Sequence, residues 1–280
     1  MDTTAMGQPM QDPLVEIALP VLNEEAALER SVTALREYLT DHVPYRWRIV
    51  IADNGSIDRT GEIAGRLMGE DARVRVIHLS VRGRGLALRT AWTQSEADIV
   101  SYMDIDLSTG LDTFMPLIAP LVAGQYQVAT GSRLIQGAAV TRGVKREIIS
   151  RSYNALIALL FRPGFPDAQC GFKALTREAA HRLLPLVENN HWFFDTELLL
   201  MTEEQGLRVH QVPVRWVEDG DTRVKIAKTV REDLAGLARV RWQRWQRHLH
   251  AIHGASHPGA EAKDAPTGIR YHGHEGIWSD

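Results

Sequence analysis

Hydrophobic positions in the first half of the chain follow two alternating periods. Leu14 to Pro20 is a short apolar run closed by proline, which reads as a buried strand. Beyond it Leu28, Val32, Leu35 and Leu39 recur at helical spacing, with Asn23 placed as N-cap and Glu24 and Glu25 suited to the helix's positive end. Trp47 to Ala52 is the next strand, and Asp53-Asn54-Gly55-Ser56 has the chemistry of a turn. Ile63, Leu67 and Met68 mark a short helix, Val74 to Leu79 a third strand, and Arg84 to Glu96 another helix. Asp98 to Met103 makes a fourth strand that runs into Asp104-Ile105-Asp106. This βαβαβαβ order predicts an α/β fold whose mostly parallel sheet is flanked by helices.

The second half is less regular. Tyr126 to Gly131 and Leu207 to Trp216 read as strands, and Val144 to Phe161 and Phe193 to Gln205 as helices. From Arg223 to Arg247 stand eight basic residues (Arg223, Lys225, Lys228, Arg231, Arg239, Arg241, Arg244, Arg247) against Glu232 and Asp233. On a helical projection Leu234, Leu237, Ala238, Trp242, Trp245 and Leu249 share one side, which predicts a basic amphipathic helix over 229–252. Such a helix suits an anionic lipid interface; packed on the domain, it would instead leave its arginines in water. Residues 1–12 are expected to be flexible, 13–228 to form the main domain, and the Gly-, His- and Pro-rich residues 253–280 a disordered tail.

Composition narrows the class. The 280 residues are 44% hydrophobic and 24% charged, with 32 Lys and Arg against 35 Asp and Glu, a net charge of -3. That is ordinary globular usage and excludes a collagen-like or wholly disordered chain. The single cysteine, Cys170, cannot close an internal disulfide, so a reducing cytosol is expected and the residue reads as a small buried hydrophobe. No apolar run reaches the roughly 18–20 residues of a spanning helix; the longest, Ile148 to Phe161, is interrupted by Ser150, Arg151, Ser152 and Asn154. Met1 to Asp12 lacks the basic and apolar regions of a signal peptide. A cytoplasmic protein, soluble or peripheral on the inner face of a membrane, is the expectation.

Ligands of parallel sheets bind at the C-terminal ends of the strands, and two acidic turns fall there. Asp53 can accept hydrogen bonds from a nucleotide base or ribose, or simply hold its turn. In extended backbone Asp104 and Asp106 would project to one side and converge on a hard cation such as Mg²⁺ or Mn²⁺; the alternative is two solvated turn aspartates. Gly83-Arg84-Gly85 opens the intervening helix, where glycines permit close backbone approach and the helix N-terminus favours anions. Together these suit a nucleoside diphosphate. A Gly-x-Gly-x-x-Gly after the first strand, the mark of dinucleotide oxidoreductases, is missing.

Seven runs stand in an order similar to that of the family 2 glycosyltransferases with a GT-A fold: residues 18–25 (ALPVLNEE), 51–58 (IADNGSID), 83–87 (GRGLA), 103–107 (MDIDL), 131–133 (GSR), 167–173 (DAQCGFK) and 194–198 (FDTEL). The last three resemble the polyprenyl-phosphate sugar synthases, among them dolichyl-phosphate mannose and glucose synthases. The resemblance covers roughly residues 14 to 228. It implies inverting transfer of a hexose from a nucleotide diphosphate sugar, UDP-glucose or GDP-mannose, to a polyprenyl phosphate.

By that likeness Pro20, Asn23, Glu24 and Gly85 line the nucleotide-sugar pocket, Asp53 holds the base, and Asp104 and Asp106 bind the metal. Ser108 stands where the family carries glutamine, and Asn54 where it carries a second aspartate. Arg133, with Arg223, would face the acceptor phosphate, and Lys225 falls in a basic loop over the diphosphate. Asp195 and Glu197 either enter the cleft or, for Asp195, cap a helix; Asp167 and Lys173 either join the site or pair with each other.

Elementary electrostatics agrees with such a transfer. A lipid phosphate is already an anion and needs no strong base to attack. The difficulty is bringing anions together, at about 4 kcal/mol per like-charge pair at 4 Å and an effective dielectric near 20. A divalent ion at the donor and arginines at the acceptor relieve that repulsion, so Asp104, Asp106, Arg133 and Lys225 form the expected electrostatic set. A saccharide or other hydroxyl acceptor would need a general base, for which Asp195 or Glu197 is available. A non-catalytic nucleotide-sugar-binding protein would not need the Asp104–Asp106 pair. The expected partners are the sugar nucleotide, a polyprenyl phosphate, the membrane surface and, for a chain lacking a spanning helix, a membrane protein; no nucleic acid is expected.

Overall fold

A computed structural model describes residues 8–141, 143–217 and 226–255. The chain divides into two units, Met1–Arg241 and Trp242–Asp280.

The first unit is built on nine strands: β1 (Leu14–Val21), β2 (Arg46–Asp53), β3 (Val74–His78), β4 (Ile99–Met103), β5 (Val128–Ser132), β6 (Ala139–Thr141), β7 (Phe172–Thr176), β8 (Val209–Pro213) and β9 (Arg215–Val217). Its helices are α1 (Leu28–His42), α2 (Thr60–Glu70), α3 (Arg84–Thr93), α4 (Phe114–Val122), α5 (Val144–Phe161), α6 (Arg177–Leu183) and α7 (Phe194–Glu204); α8 (Ile226–Ala255) begins in this unit. Seven strands form one sheet in the order β3-β2-β1-β4-β7-β5-β8, and β6 pairs with β9 in a small second sheet. All neighbours in the large sheet run parallel except β7, which is antiparallel to β4 and β5.

The sheet is buried on both faces because its strands are apolar at successive positions. Along β1, Val15, Ile17, Leu19 and Val21 pack in one cluster with Leu28, Val32, Leu35 and Leu39 of α1 and Phe114, Leu117 and Leu121 of α4. Ala18, with Val50 and Ala52 of β2, faces a second cluster containing Ala87 and Leu88 of α3, Leu198 and Leu199 of α7, and Leu237 and Val240 of α8. The resulting α/β/α layering leaves the C-terminal ends of β1, β2 and β4 along one edge.

Several expectations need correction. Helix α1 starts at Leu28, and its N-cap is Ala27 rather than Asn23. Asn23 adopts a left-handed backbone (φ 56°), and its Oδ1 accepts from the Ile57 amide at 2.9 Å, so it ties the β1 loop to the β2 turn. The expected strand Leu207–Trp216 is two strands. Pro213 ends β8, having no amide for a further ladder bond, and the chain passes to the small sheet as β9. Strand β7 carries a lysine at its second position, and α4, α6 and β6 are short; none has a periodicity strong enough to announce itself.

The predicted single apolar side of the last helix divides. Leu237 is buried in the second cluster, whereas Leu234 is 46% exposed. Within the second unit, Trp242 and Trp245 are 57% and 48% exposed, with ring centroids 4.8 Å apart.

Candidate active site

Two loops at the C-terminal edge are stitched together by side chains. The Asn23 amide donates to Ser56 Oγ at 2.9 Å, and that of Glu24 donates to Thr60 Oγ1 at 2.7 Å. Pro20 lies beside Ala52 in register at the mouth of this pair of loops. Asp53 is buried; its Oδ1 accepts from the Ser56 amide at 3.0 Å and its Oδ2 lies 2.7 Å from His78 Nδ1. It therefore organises its own turn. Asn54, also buried, accepts from the Gly83 amide at 2.5 Å and so fixes the start of α3 against the β2 turn.

The expected role of the α3 glycines, close approach to phosphate, has a packing counterpart. A Cβ on Gly85 would lie 2.6 Å from Phe194 Cβ, and one on Gly83 would lie 2.6 Å from the Asn190 carbonyl. Both glycines let the entry of α7 pack against α3. That contact sets the position of Arg84, which stands between them.

Arg84 is the hub. One Nη donates to Asp104 Oδ1 at 2.6 Å and the other to Asp195 Oδ2 at 2.7 Å. Its guanidinium lies 5.0 Å from the ring centroid of Tyr102 and 5.1 Å from that of Trp192. On the far side of Asp195, Lys173 Nζ sits 3.0 Å from Oδ1 and also donates to the Cys170 carbonyl at 2.6 Å. The Tyr102 hydroxyl completes the set with a short hydrogen bond to Asp195 Oδ1. Burial alone would raise the Asp195 pKa, but Lys173 and Arg84 outweigh it and hold the carboxyl below its ordinary value. Burial, reinforced by the Asp195 charge, pushes the Tyr102 phenol well above its usual range. Asp195 is thus not a helix cap, and its lowered pKa makes it a weak base. The N-cap of α7 is Phe193, without a side-chain cap.

Asp104 and Asp106 depart from the extended arrangement expected of them. The chain turns after β4, with the Leu107 amide bonded to the Asp104 carbonyl at 3.1 Å and Leu107 left-handed (φ 51°). Asp104 is 42% exposed and Asp106 is exposed, its Oδ1 accepting from the Ser108 amide at 3.0 Å. A Cβ on Gly171 would overlap the Asp104 carboxylate, so only glycine leaves that carboxylate its place. Ser108 Oγ is buried without a hydrogen-bond partner. A half-buried carboxylate, an exposed one and an orphaned hydroxyl supply hard-oxygen donors of the kind that suits Mg²⁺ or Mn²⁺. Those ions bind through one or two carboxylates and complete their shell with water and phosphate. Among the described residues no group of three or more His, Cys, Asp or Glu side chains converges as a closed cage.

Asp167 and Lys173 do not pair with each other. Arg133, at the end of β5, makes a two-pronged bond to Asp167, with Nε to Oδ2 and Nη2 to Oδ1 both at 2.8 Å. Its amide also donates to Oδ2 at 2.9 Å. Burial disfavours the charge on Arg133, but Asp167 outweighs it and raises the pKa; the same pairing lowers Asp167 against its own burial. Lys173 serves Asp195 instead.

Glu197 is buried and structural, accepting from the Asn189 amide at 2.8 Å and pairing with Arg239 of α8 at 2.8 Å. Cys170 is fully buried, its thiol pushed up to about 12 by burial, as a small hydrophobe should be. Arg223 and Lys225 lie outside the described residues. Sequence reasoning passed over the roles of Arg84, Tyr102 and Gly171. The one available hint was a cation between two glycines at a helix start.

The family model for glycosyl transferase family 2 matches residues 16–184. The chain belongs to that family. It is 38% identical over 231 residues to glycosyltransferase AglD of Haloferax volcanii, a match that covers 82% of this chain and 37% of AglD. It is 29% identical to human dolichyl-phosphate beta-glucosyltransferase, with 73% and 67% of the two chains covered. The chain thus spans well under half of AglD and about two thirds of the human relative. Its fold is that of glucosyl-3-phosphoglycerate synthase from Mycobacterium tuberculosis, solved with Mn²⁺ and UDP-glucose. The TM-score is 0.61 at 24% identity, with 82% and 79% of the two chains covered. This likeness agrees with the GT-A architecture expected from the motifs.

Proposed function

We propose that this family 2 domain transfers glucose from UDP-glucose, with inversion, to a polyprenyl phosphate of the dolichyl type, using Mg²⁺ or Mn²⁺. The observation that carries the reading is the state of Asp195. Asp195 is ion-paired with Arg84 and Lys173 and bonded by Tyr102, while Glu197 is ion-paired with Arg239 and accepts a backbone amide. Both acids considered as a general base are buried and committed to cations, and Lys173 and Arg84 hold the Asp195 carboxyl below its ordinary pKa, which makes it a poor proton acceptor. A hydroxyl acceptor needs such a base, whereas a phosphate oxygen arrives ionised and does not. GDP-mannose fits the same geometry, but relatives named beta-glucosyltransferases and a neighbour solved with UDP-glucose favour glucose.

In this reading the nucleotide lies across the loops of Asn23, Glu24 and Asp53. Asp104 and Asp106 hold the metal, which would neutralise the diphosphate as it leaves. Arg84 orients Asp104 while anchored on Asp195, so the carboxylate is held before the donor arrives. Arg133 keeps part of its guanidinium for the acceptor phosphate while Asp167 fixes its direction. Arg223 and Lys225 stay in the proposal as cations over the diphosphate. Attack from the face opposite the leaving group inverts the anomeric centre.

A polyprenyl chain leaves a bilayer at a cost of ~0.8 kcal/mol per CH₂, so the enzyme must come to the membrane. Among the described residues no helix is long and apolar enough to cross one. Within the second unit, exposed Trp242 and Trp245 with exposed Arg247 support interfacial contact on the cytoplasmic leaflet, alone or beside a membrane protein.

The deciding assay offers UDP-glucose and GDP-mannose to the protein with polyprenyl phosphate, 3-phosphoglycerate or free glucose as acceptor, with and without Mn²⁺. Metal-dependent glucosyl transfer to the lipid phosphate is expected. Transfer to free glucose alone would overturn the reading.

A further inference from the structure

Six carboxylates are buried among the described residues of the first unit: Glu16, Asp53, Asp167, Asp195, Glu197 and Asp233. Five of them face a basic side chain, namely Arg48, His78, Arg133, Lys173 with Arg84, and Arg239. Asp233, on α8, does not. It is 2% exposed, its Oδ2 accepts from Gln169 Nε2 at 3.2 Å, and its Oδ1 has no hydrogen-bond partner. A buried carboxyl without a cation is costly to keep and calls for a reason. Burial, with the neighbouring Glu232 and Asp195 charges, pushes it up to about 7.

Its partner supplies the reason. Gln169 lies in the segment entering β7, and its amide donates to Asp167 Oδ1 at 3.2 Å, the same oxygen that receives Arg133 Nη2. Two residues on, Gly171 makes room for Asp104. The 167–171 segment therefore touches both halves of the site, and its side-chain tie to α8 is the Gln169–Asp233 bond. We propose that Asp233 is a positioning residue: by holding Gln169 it fixes the 167–171 segment and, through Asp167, the direction of Arg133. The acceptor side of this inference rests on the functional reading above; the mechanical side does not.

The test uses the full-length protein and four variants: Asp233→Asn, which keeps an oxygen for Gln169; Asp233→Leu; Gln169→Ala; and the Asp233→Leu/Gln169→Ala double. With UDP-glucose and polyprenyl phosphate, Asp233→Leu and Gln169→Ala should each raise the acceptor KM about tenfold and leave the donor KM within about twofold. Asp233→Asn should stay near wild type, and the double variant should be no worse than either single change. Additive losses, parallel increases in both KM values, or a wild-type acceptor KM in Asp233→Leu would overturn the proposal. So would an Asp233→Asn variant as impaired as Asp233→Leu. Should Asp233→Leu not fold, Gln169→Ala against Asp233→Asn carries the same comparison. Hydrogen exchange separates this inference from the functional reading, because it needs no acceptor. Amides of 167–171 should exchange faster in Asp233→Leu and Gln169→Ala but not in Asp233→Asn, and unchanged exchange refutes the positioning role even if the substrate is another.

Discussion

Gly171 offers the sharpest test of the site, because a single methyl group there acts on one carboxylate. A Cβ at this position would overlap Asp104 Oδ2 and lie 2.7 Å from Asp104 Cγ and 3.1 Å from Oδ1. Carbon atoms at rest sit about 3.5–4.0 Å apart, so the carboxylate must swing away by something near 1 Å. Gly171 does not have the left-handed backbone that resists alanine, and alanine reduces the freedom of the unfolded chain by about 0.4–1 kcal/mol. Overpacking costs about 1–3 kcal/mol. The net is a cost of about 1 kcal/mol, so Gly171→Ala should melt a few degrees below wild type. Function should not survive as well. The displaced carboxylate gives up its 2.6 Å bond to Arg84, and a misplacement near 1 Å costs on the order of 100-fold in rate. The measurements are kcat/KM for sugar transfer and the Mn²⁺-dependent rise in melting temperature with UDP. A folded Gly171→Ala protein within about threefold of wild-type kcat/KM, with its Mn²⁺-dependent shift intact, would show that Asp104 does not act from where it stands.

Asp106→Ala should abolish metal-dependent transfer while the melting temperature holds, since its carboxylate is exposed and bonded only within its own turn; turnover at the wild-type rate removes it from the metal site. Chelation with EDTA should silence the enzyme, and added Mn²⁺ or Mg²⁺ should restore it; undiminished rates in EDTA would count against the cation. Lys173→Met leaves Asp195 buried with one cation fewer and should cost about 3–5 kcal/mol in urea unfolding, so an unchanged midpoint would contradict the network. The pH dependence of stability follows from Asp233. Its pKa rises from 3.8 to about 7 on folding, so the native state holds the proton longer and stability falls as pH climbs from about 4 through 7, by at most ~4 kcal/mol. Asp233→Asn should flatten that fall, gaining on wild type at pH 8 relative to pH 5; parallel curves would refute the assignment.

The first half of the chain was legible because its physics is local. Apolar runs and helical spacings in β1 to β4 mark each element by its own residues, and the acidic turns fall at strand ends by topology alone. The second half depends on contacts far apart in the chain. Lys173 looks like a solvent-facing residue until Asp195, folded against it from α7, turns β7 into a core strand. Arg84 meets Asp104 and Asp195 across 20 and 111 positions, a convergence no window of sequence displays. The extended geometry assumed for Asp104 and Asp106 failed for the opposite reason, a local one. A left-handed Leu107 closes a turn that the sequence does not advertise with glycine or asparagine.

The reversed direction of β7 has an architectural result. Phe172, where that strand begins, neighbours Met103, where β4 ends, while Thr176 and Ile99 meet at the opposite rim. A connection entering a backward-running strand thus opens onto the same rim as the connections leaving its forward-running neighbours. Residues 162–171 therefore end at the rim where Asp104 stands, and Gly171 meets its carboxylate there. A change in that segment would be felt by Asp104 without altering the pairing of β1 with β2 or β4.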